Sequence, residues 1–309
     1  MEVILMEITA SMVKELRDKT NAGMMDCKKA LNETNGDIEK AIVYLREKGL
    51  LKAAKKSGRI AAEGLTTALV SDDEKKGVVI EVNSETDFVA KNDEFRSFVE
   101  ETAKAVLDND PKDIEALKAI VLKDGKTVQE VLTEKIATIG ENMSLRRFAS
   151  VKVDKGLVVN YIHGGGKISV LVALESEGDK EALKVLGKDL AMQVAAMNPK
   201  YISIEDVDEE FLAQEREILT AQALNEGKPQ NVVAKMVEGR LNKELKEICL
   251  LEQAFVKDAD MTVKKVISDT AKKIGSDIKV ADVIRFETGE GIEKKSENFA
   301  DEVAKQMGL

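Results

Sequence analysis

The chain has 309 residues, 57 of them acidic against 47 basic, for a net charge of −10. That length exceeds one comfortable hydrophobic core, and the acidic balance argues against general attraction to phosphate backbones or anionic lipids. A hydrophobic share of 43% beside 34% charged residues, with 4% aromatics, no Trp and 3 prolines, describes a folded, helix-rich protein whose expected partner is another protein.

Residues 9–50 read as three short helices. Thr9 or Ser11 caps the first, whose apolar positions Met12, Val13 and Leu16 recur at helical spacing. A second spans residues 26–31. After the Asn35-Gly36 break, Asp37 is placed to cap a third helix carrying Ile38, Ala41, Ile42 and Leu45, with Gly49 as its stop. Residues 1–5 match no element and read as an extension. The basic stretch Lys52-Ala53-Ala54-Lys55-Lys56-Ser57-Gly58-Arg59 reads as a linker, or a helix end running into one; without interleaved aromatics it offers RNA no stacking platform.

From Gly64 the period changes to strands. Residues 65–70 and 77–82 flank a polar turn and predict a hairpin, followed by a helix over 93–107. The plan then recurs: residues 148–153, 157–162 and 168–174 are strand-like, and 180–197 form a long amphipathic helix. Hairpin then helix, twice, suggests a duplicated α+β unit with antiparallel sheets. Residues 206–251 are helical, heavily charged and broken once at Gly227-Lys228-Pro229, which predicts a projecting antiparallel coiled coil. A helix over 263–274, a strand over 280–286 completing the second sheet, and a terminal helix over 299–307 follow.

Little in this series points to catalysis. The single histidine, His163, excludes most hydrolase triads and any His-rich metal site. The Gly164-Gly165-Gly166-Lys167 run after it lacks the Ser or Thr and the following helix of a phosphate-cradling loop, and reads as a glycine-rich turn between strands. Cys27 and Cys249 form no metal-spaced or redox pair, which fits a reducing, cytoplasmic setting. No leader or membrane-spanning segment, metal or cofactor is expected. Thr86-Asp87-Phe88-Val89 has two readings: a helix start in which Asn92 caps and Phe88 or Val89 packs on Phe95, or an exposed aromatic beside an acid, offered to a partner.

A series of motifs decides between them. Val13-Lys14-Glu15-Leu16-Arg17, Ala22-Gly23-Met24-Met25-Asp26-Cys27-Lys28-Lys29-Ala30-Leu31, Glu81-Val82-Asn83, Thr86-Asp87-Phe88-Val89-Ala90-Lys91, Ile139-Gly140-Glu141-Asn142, Lys235-Met236-Val237-Glu238-Gly239-Arg240 and Ile284-Arg285-Phe286 occur in fixed order. In type and spacing the chain resembles the bacterial elongation factor Ts family, long form, the nucleotide exchange factors of the translational GTPase elongation factor Tu.

The resemblance implies a domain plan. Residues 1–51 form a ubiquitin-associated-like docking domain and 52–63 a linker. Residues 64–150 form one core subdomain, and 151–204 plus 256–290 the other. Residues 205–255 form the helical hairpin insertion and 291–309 a C-terminal module. The resemblance also implies a guanine nucleotide exchange factor that promotes GDP release from elongation factor Tu by disturbing its magnesium and phosphate site, with no covalent chemistry. Thr86, Asp87, Phe88 and Val89 then dislocate the partner's magnesium, and Arg17, Met24, Met25, Lys28 and His163 bind the partner. One-to-one assembly is expected, a higher assembly being the other form, with no nucleic acid or membrane bound directly. The alternative is an interaction module that holds a partner without altering nucleotide affinity.

Overall fold

Short polar side chains cap six of the described helices, and the apolar faces behind them decide what each helix covers. The computed structural model describes residues 8–20 and 22–293. The extension at 1–5, the terminal helix at 299–307 and most of the expected C-terminal module lie outside the described residues. The chain is of the α+β class and divides into two units. One comprises Met1–Leu65, Glu81–Arg147 and Thr288–Leu309; the other comprises Thr66–Ile80 and Phe148–Glu287. The divisions after residues 65, 80 and 147 fall within strands.

The first unit opens with three helices: α1 (Ala10–Thr20), α2 (Met24–Glu33) and α3 (Ile38–Lys56). Val13, Leu16, Cys27, Ala30, Leu31 and Ala41 form their small core. The Asp37 carboxylate accepts from the Lys40 amide at 3.0 Å and caps α3 as its position predicted. Gly49 does not end this helix. It is buried midway along it, opposite Ala137 of a later helix, and α3 runs on to Lys56 through residues expected to begin the linker. Ala53, Ala54 and the lysines are good helix formers, and lysines in a last turn complement the helix dipole.

The chain continues through β1 (Glu63–Val70), β2 (Lys76–Ser84), α4 (Asp87–Ala90), α5 (Asp93–Asn109), α6 (Ile114–Lys118), α7 (Val128–Ile139) and β3 (Met143–Lys152). The strands form one sheet in the order β1-β2-β3. The strand expected at 148–153 therefore starts at Met143 and belongs to the first sheet, not to the second hairpin. α5 buries Phe95, Phe98, Val99, Thr102, Ala103 and Val106 at helical spacing. α6 and α7 are additions to the sequence reading. α7 starts at a capping box between Thr127 and Glu130 and closes at Gly140, whose φ of +92° is open chiefly to glycine.

The second unit holds β4 (Leu157–His163), β5 (Ile168–Glu175), α8 (Lys180–Met197), α9 (Glu209–Asn225), α10 (Gln230–Ile248), β6 (Ala254–Phe255), β7 (Asp258–Thr262), α11 (Val263–Ile274) and β8 (Lys279–Glu287). β5 lies between β4 and β8 and is antiparallel to both. Its near-continuous apolar run follows from burial on both faces. Val170, Val172 and Leu174 face Leu183, Leu186 and Leu190 of α8, while Leu171 and Ala173 join Ala68, Val79, Val151 and Phe286. α9 and α10 pack as an antiparallel pair through Leu219, Ala223, Val233 and Val237, with Arg216–Glu238 and Arg240–Glu226 ion pairs outside. Lys257, just beyond this pair, is bonded to Asp189 at 2.6 Å.

Within the first unit a carboxylate lies wholly buried. Glu81 on β2 accepts from Arg146 Nη1 (2.9 Å), Arg147 Nε (2.6 Å), Asn83 Nδ2 (3.1 Å) and the Gly289 amide (2.7 Å). Burial pushes this carboxyl up, but the donors from Gly289, Arg146, Arg147 and Asn83 outweigh it and hold the group below the usual range. A depressed folded-state value makes the stabilisation complete above the unfolded value of about 4.3 and lost as pH falls through the lower folded one. Glu81→Ala should therefore cost about 3–5 kcal/mol in urea unfolding at pH 7. The gap from the parent should narrow below about pH 4. An unchanged gap would contradict this assignment.

Cys27 and Cys249 are both buried. Burial raises both thiols, that of Cys249 to about 11. In the native protein both should resist an alkylating reagent at pH 8 and react only on denaturation, read by intact mass.

Candidate functional site

Residues 84–92 turn from the end of β2 into α5, and each step of the turn is tied down. The Ser84 hydroxyl donates to the Thr86 carbonyl at 2.9 Å. Thr86 is gripped by Glu141, just past α7: the Thr86 amide donates to Oε2 at 3.0 Å and its hydroxyl to Oε1 at 2.7 Å. Asn142 closes the other side, its amide donating to Glu85 Oε1 at 2.5 Å and its Nδ2 to the Arg59 carbonyl at 2.7 Å. Asn92 accepts from the Phe95 amide at 3.1 Å and caps α5.

Between these anchors α4 leaves Asp87 and Phe88 exposed in succession and turns Val89 inward. Val89 is buried, whereas Phe88 is 78% exposed. The helix start is there, with Asn92 as its cap and Val89 packed inward, while Phe88 stays exposed beside Asp87. Lys91 Nζ donates to Asp87 Oδ2 at 2.7 Å and stands 5.8 Å from the centre of the Phe88 ring. Acid, ring and cation form one small exposed group. The cation–π contact holds the ring without covering it.

The other predicted residues lie elsewhere on the chain. Met24 and Met25, 47% and 76% exposed, open α2; Lys28, one turn on, is exposed on the Met24 side, and Arg17 is exposed on α1. His163 ends β4 in the other unit, exposed, with its Nδ1 3.0 Å from the Tyr161 hydroxyl. The glycine run after it is the expected tight turn: Gly164, Gly165 and Gly166 all have positive φ, a succession open to glycine. Thr66 secures it, donating from its amide to the Gly166 carbonyl at 2.7 Å.

Among the described residues no group of three or more His, Cys, Asp or Glu side chains is placed to hold a metal ion, and no helix is long and apolar enough to cross a membrane. The turn is built to present groups outward. Glu141 and Lys91 stand in the motifs quoted above but were not singled out from the sequence, and the structure ties both to this turn. Lys91 was visible as the partner of Asp87 four residues earlier on a helix. Glu141 had no such signal, lying 55 positions from Thr86.

A family model described as elongation factor TS matches residues 85–290. Elongation factor Ts of Clostridioides difficile (strain 630) is 61% identical over 300 residues, covering 97% of this chain and 99% of that protein. Elongation factor Ts of Clostridium perfringens (strain SM101 / Type A) is 56% identical over 301 residues, with the same coverage. That of Clostridium tetani (strain Massachusetts / E88) is 55% identical over 303 residues, again covering 97% and 99%.

An exposed ring contributes little to its own fold. Phe88→Ala should change the free energy of unfolding by no more than about 0.5 kcal/mol. Val89→Ala, on the same turn but buried, should cost about 1 kcal/mol or more. Paired urea titrations measure both.

Proposed function

The chain belongs to the elongation factor Ts family, and on that premise we propose that it is a guanine nucleotide exchange factor for elongation factor Tu in translation elongation. It works by binding, in the cytoplasm, one molecule to one partner, and changes no covalent bond. The observation that carries the site assignment is the 78% exposure of Phe88 on a turn whose neighbours are fixed. A rigid apolar side chain held in water suits a pocket on another protein.

In this reading Phe88 enters between helices of the partner's GTPase domain and Asp87 lies toward its magnesium site. Val89 anchors the turn from beneath and Thr86 fixes its start. Arg17, Met24, Met25 and Lys28 dock the three-helix module, which we take as ubiquitin-associated-like, on the same domain, and His163 presses on its nucleotide side. The α9–α10 pair is the coiled-coil insertion on a duplicated core.

Displacement sets the thermodynamics. A ligand shifts its partner only by differential affinity, so the protein must bind nucleotide-free elongation factor Tu more tightly than the GDP form. The coupling is reciprocal, so returning nucleotide releases the exchange factor. Speeding GDP release about ten-thousandfold lowers the barrier by about 5.5 kcal/mol. Burying one phenylalanine side chain supplies about 1.5–3 kcal/mol. Phe88 therefore shares the effect with a wider surface.

Release of a fluorescent GDP from elongation factor Tu tests the proposal. The protein should accelerate release at substoichiometric amounts; a module that merely holds its partner would not. Phe88→Ala should slow stimulated release by roughly tenfold to a hundredfold, the worth of one buried ring. Adding His163→Ala should slow it further. Abolition by Phe88→Ala alone, with complex formation intact, would contradict the shared surface.

A further inference from the structure

The turn Gly140-Glu141-Asn142 has more long-range partners than its length needs. It carries no exposed apolar group and makes no part of the core, yet its bonds reach Lys56, Arg59, Glu85 and Thr86. Lys56 at the end of α3 donates to the Gly140 carbonyl, and Asn142 holds Glu85 and the Arg59 carbonyl. Glu141 spends both carboxylate oxygens on Thr86 alone, at 3.0 Å to the amide and 2.7 Å to the hydroxyl.

This bidentate grip falls at the one place where it governs Phe88. Thr86 has extended backbone, φ −125° and ψ 158°, and occupies the position before α4, but its own side chain caps nothing in that helix. Its hydroxyl is turned to Glu141 instead. Two bonds to a single residue fix both the peptide plane and the side-chain rotamer of Thr86, and so the direction in which α4 starts. Phe88 stands two residues on, in the first turn of α4. With Val89 buried below, the grip sets the direction in which the Phe88 side chain leaves the backbone, toward solvent. A charged acceptor strengthens both bonds.

We propose that Glu141 is the positioning residue of the exchange reaction: through its two bonds to Thr86 it holds Phe88 in the orientation that enters the partner. It touches neither nucleotide nor metal and acts only through the tip. The proposal rests on the exchange reading above, in which Phe88 is the entering group. Its physical basis is preorganisation: a ring already aimed loses less freedom on insertion, and the gain appears in the step that expels nucleotide rather than in the first encounter.

Stimulated GDP release, followed over a range of exchange-factor concentrations, separates that step from docking. Glu141→Ala should lower the maximal rate roughly tenfold, the scale of a lost charge-assisted hydrogen bond, while the half-saturating concentration stays within about twofold. Glu141→Gln, which keeps an acceptor for the amide and a polar group for the hydroxyl, should recover the rate to within about threefold. In the Phe88→Ala background, Glu141→Ala should cost less than about twofold more, because the residue it positions is gone. Circular dichroism and a melting curve on each variant establish that it is folded. A loss in the Phe88→Ala background as large as in the parent would overturn the proposal, as would a raised half-saturating concentration at unchanged maximal rate. Failure of the unaltered protein to stimulate release is a different result, and would remove the exchange reading itself.

Discussion

A carboxylate with no exposed surface must find donors for its oxygens or lose its charge, and Glu81 is the group around which the first unit settles that demand. Its four donors come from β2, from β3 and from the chain after β8. Asn83 in turn donates to Glu63 as well, so the start of β1 joins the same network. Arg147 is shared between Glu81 and Glu290, which ties residues 289 and 290 to the sheet a second time. Removing any one donor leaves the others around a less compensated buried charge, which makes the register of these strands specific rather than merely favourable. The price is a fold sensitive to acid.

Gly289 shows how tightly that arrangement closes. Its φ is +74°, and a Cβ there would stand 2.2 Å from the Ala62 carbonyl oxygen. Only glycine brings its amide that near Glu81 without displacing the backbone that leads into β1. The turn of residues 86–91 follows a strand held by these bonds, and its own ties to Glu141 and Asn92 extend the same anchoring outward. Rigidity beneath and exposure at the end are complementary: an aromatic ring on a loose loop would collapse onto the surface.

The second unit solves a different problem, covering both faces of a three-stranded sheet. α8 lies on one face, where Gly187 lets the helix backbone approach Val159 more closely than any side chain would allow. The opposite face is covered by residues of β1, β2 and β3 that belong to this unit. Gly77 permits that contact, since a Cβ there would meet Val158 at 2.6 Å and Leu171 at 2.9 Å. Hydrophobic burial of this kind sets stability, while the polar turns at the sheet ends carry the groups offered outward.

What the sequence determined by itself was local: where polar caps meet apolar periodicity, at Asp37 and Asn92; where glycines with positive φ make a tight turn, at residues 164–166; and where helices of three- and four-residue spacing run, as at 180–197 and 263–274. Those signals lie within a few residues of one another, so one stretch of chain contains both cause and effect. α7 carries the same kind of local signal, the Thr127 and Glu130 capping box and Gly140, but the sequence reading passed over it. The motif series also carried the resemblance that marked out residues 86–89. Tertiary structure alone decided that β3 joins the first sheet, that α3 runs past Gly49, that Phe88 faces water while Val89 does not, and that Glu141 grips Thr86. Each of these depends on partners tens of residues away, and a linear pattern does not encode which distant side chain will arrive beside it.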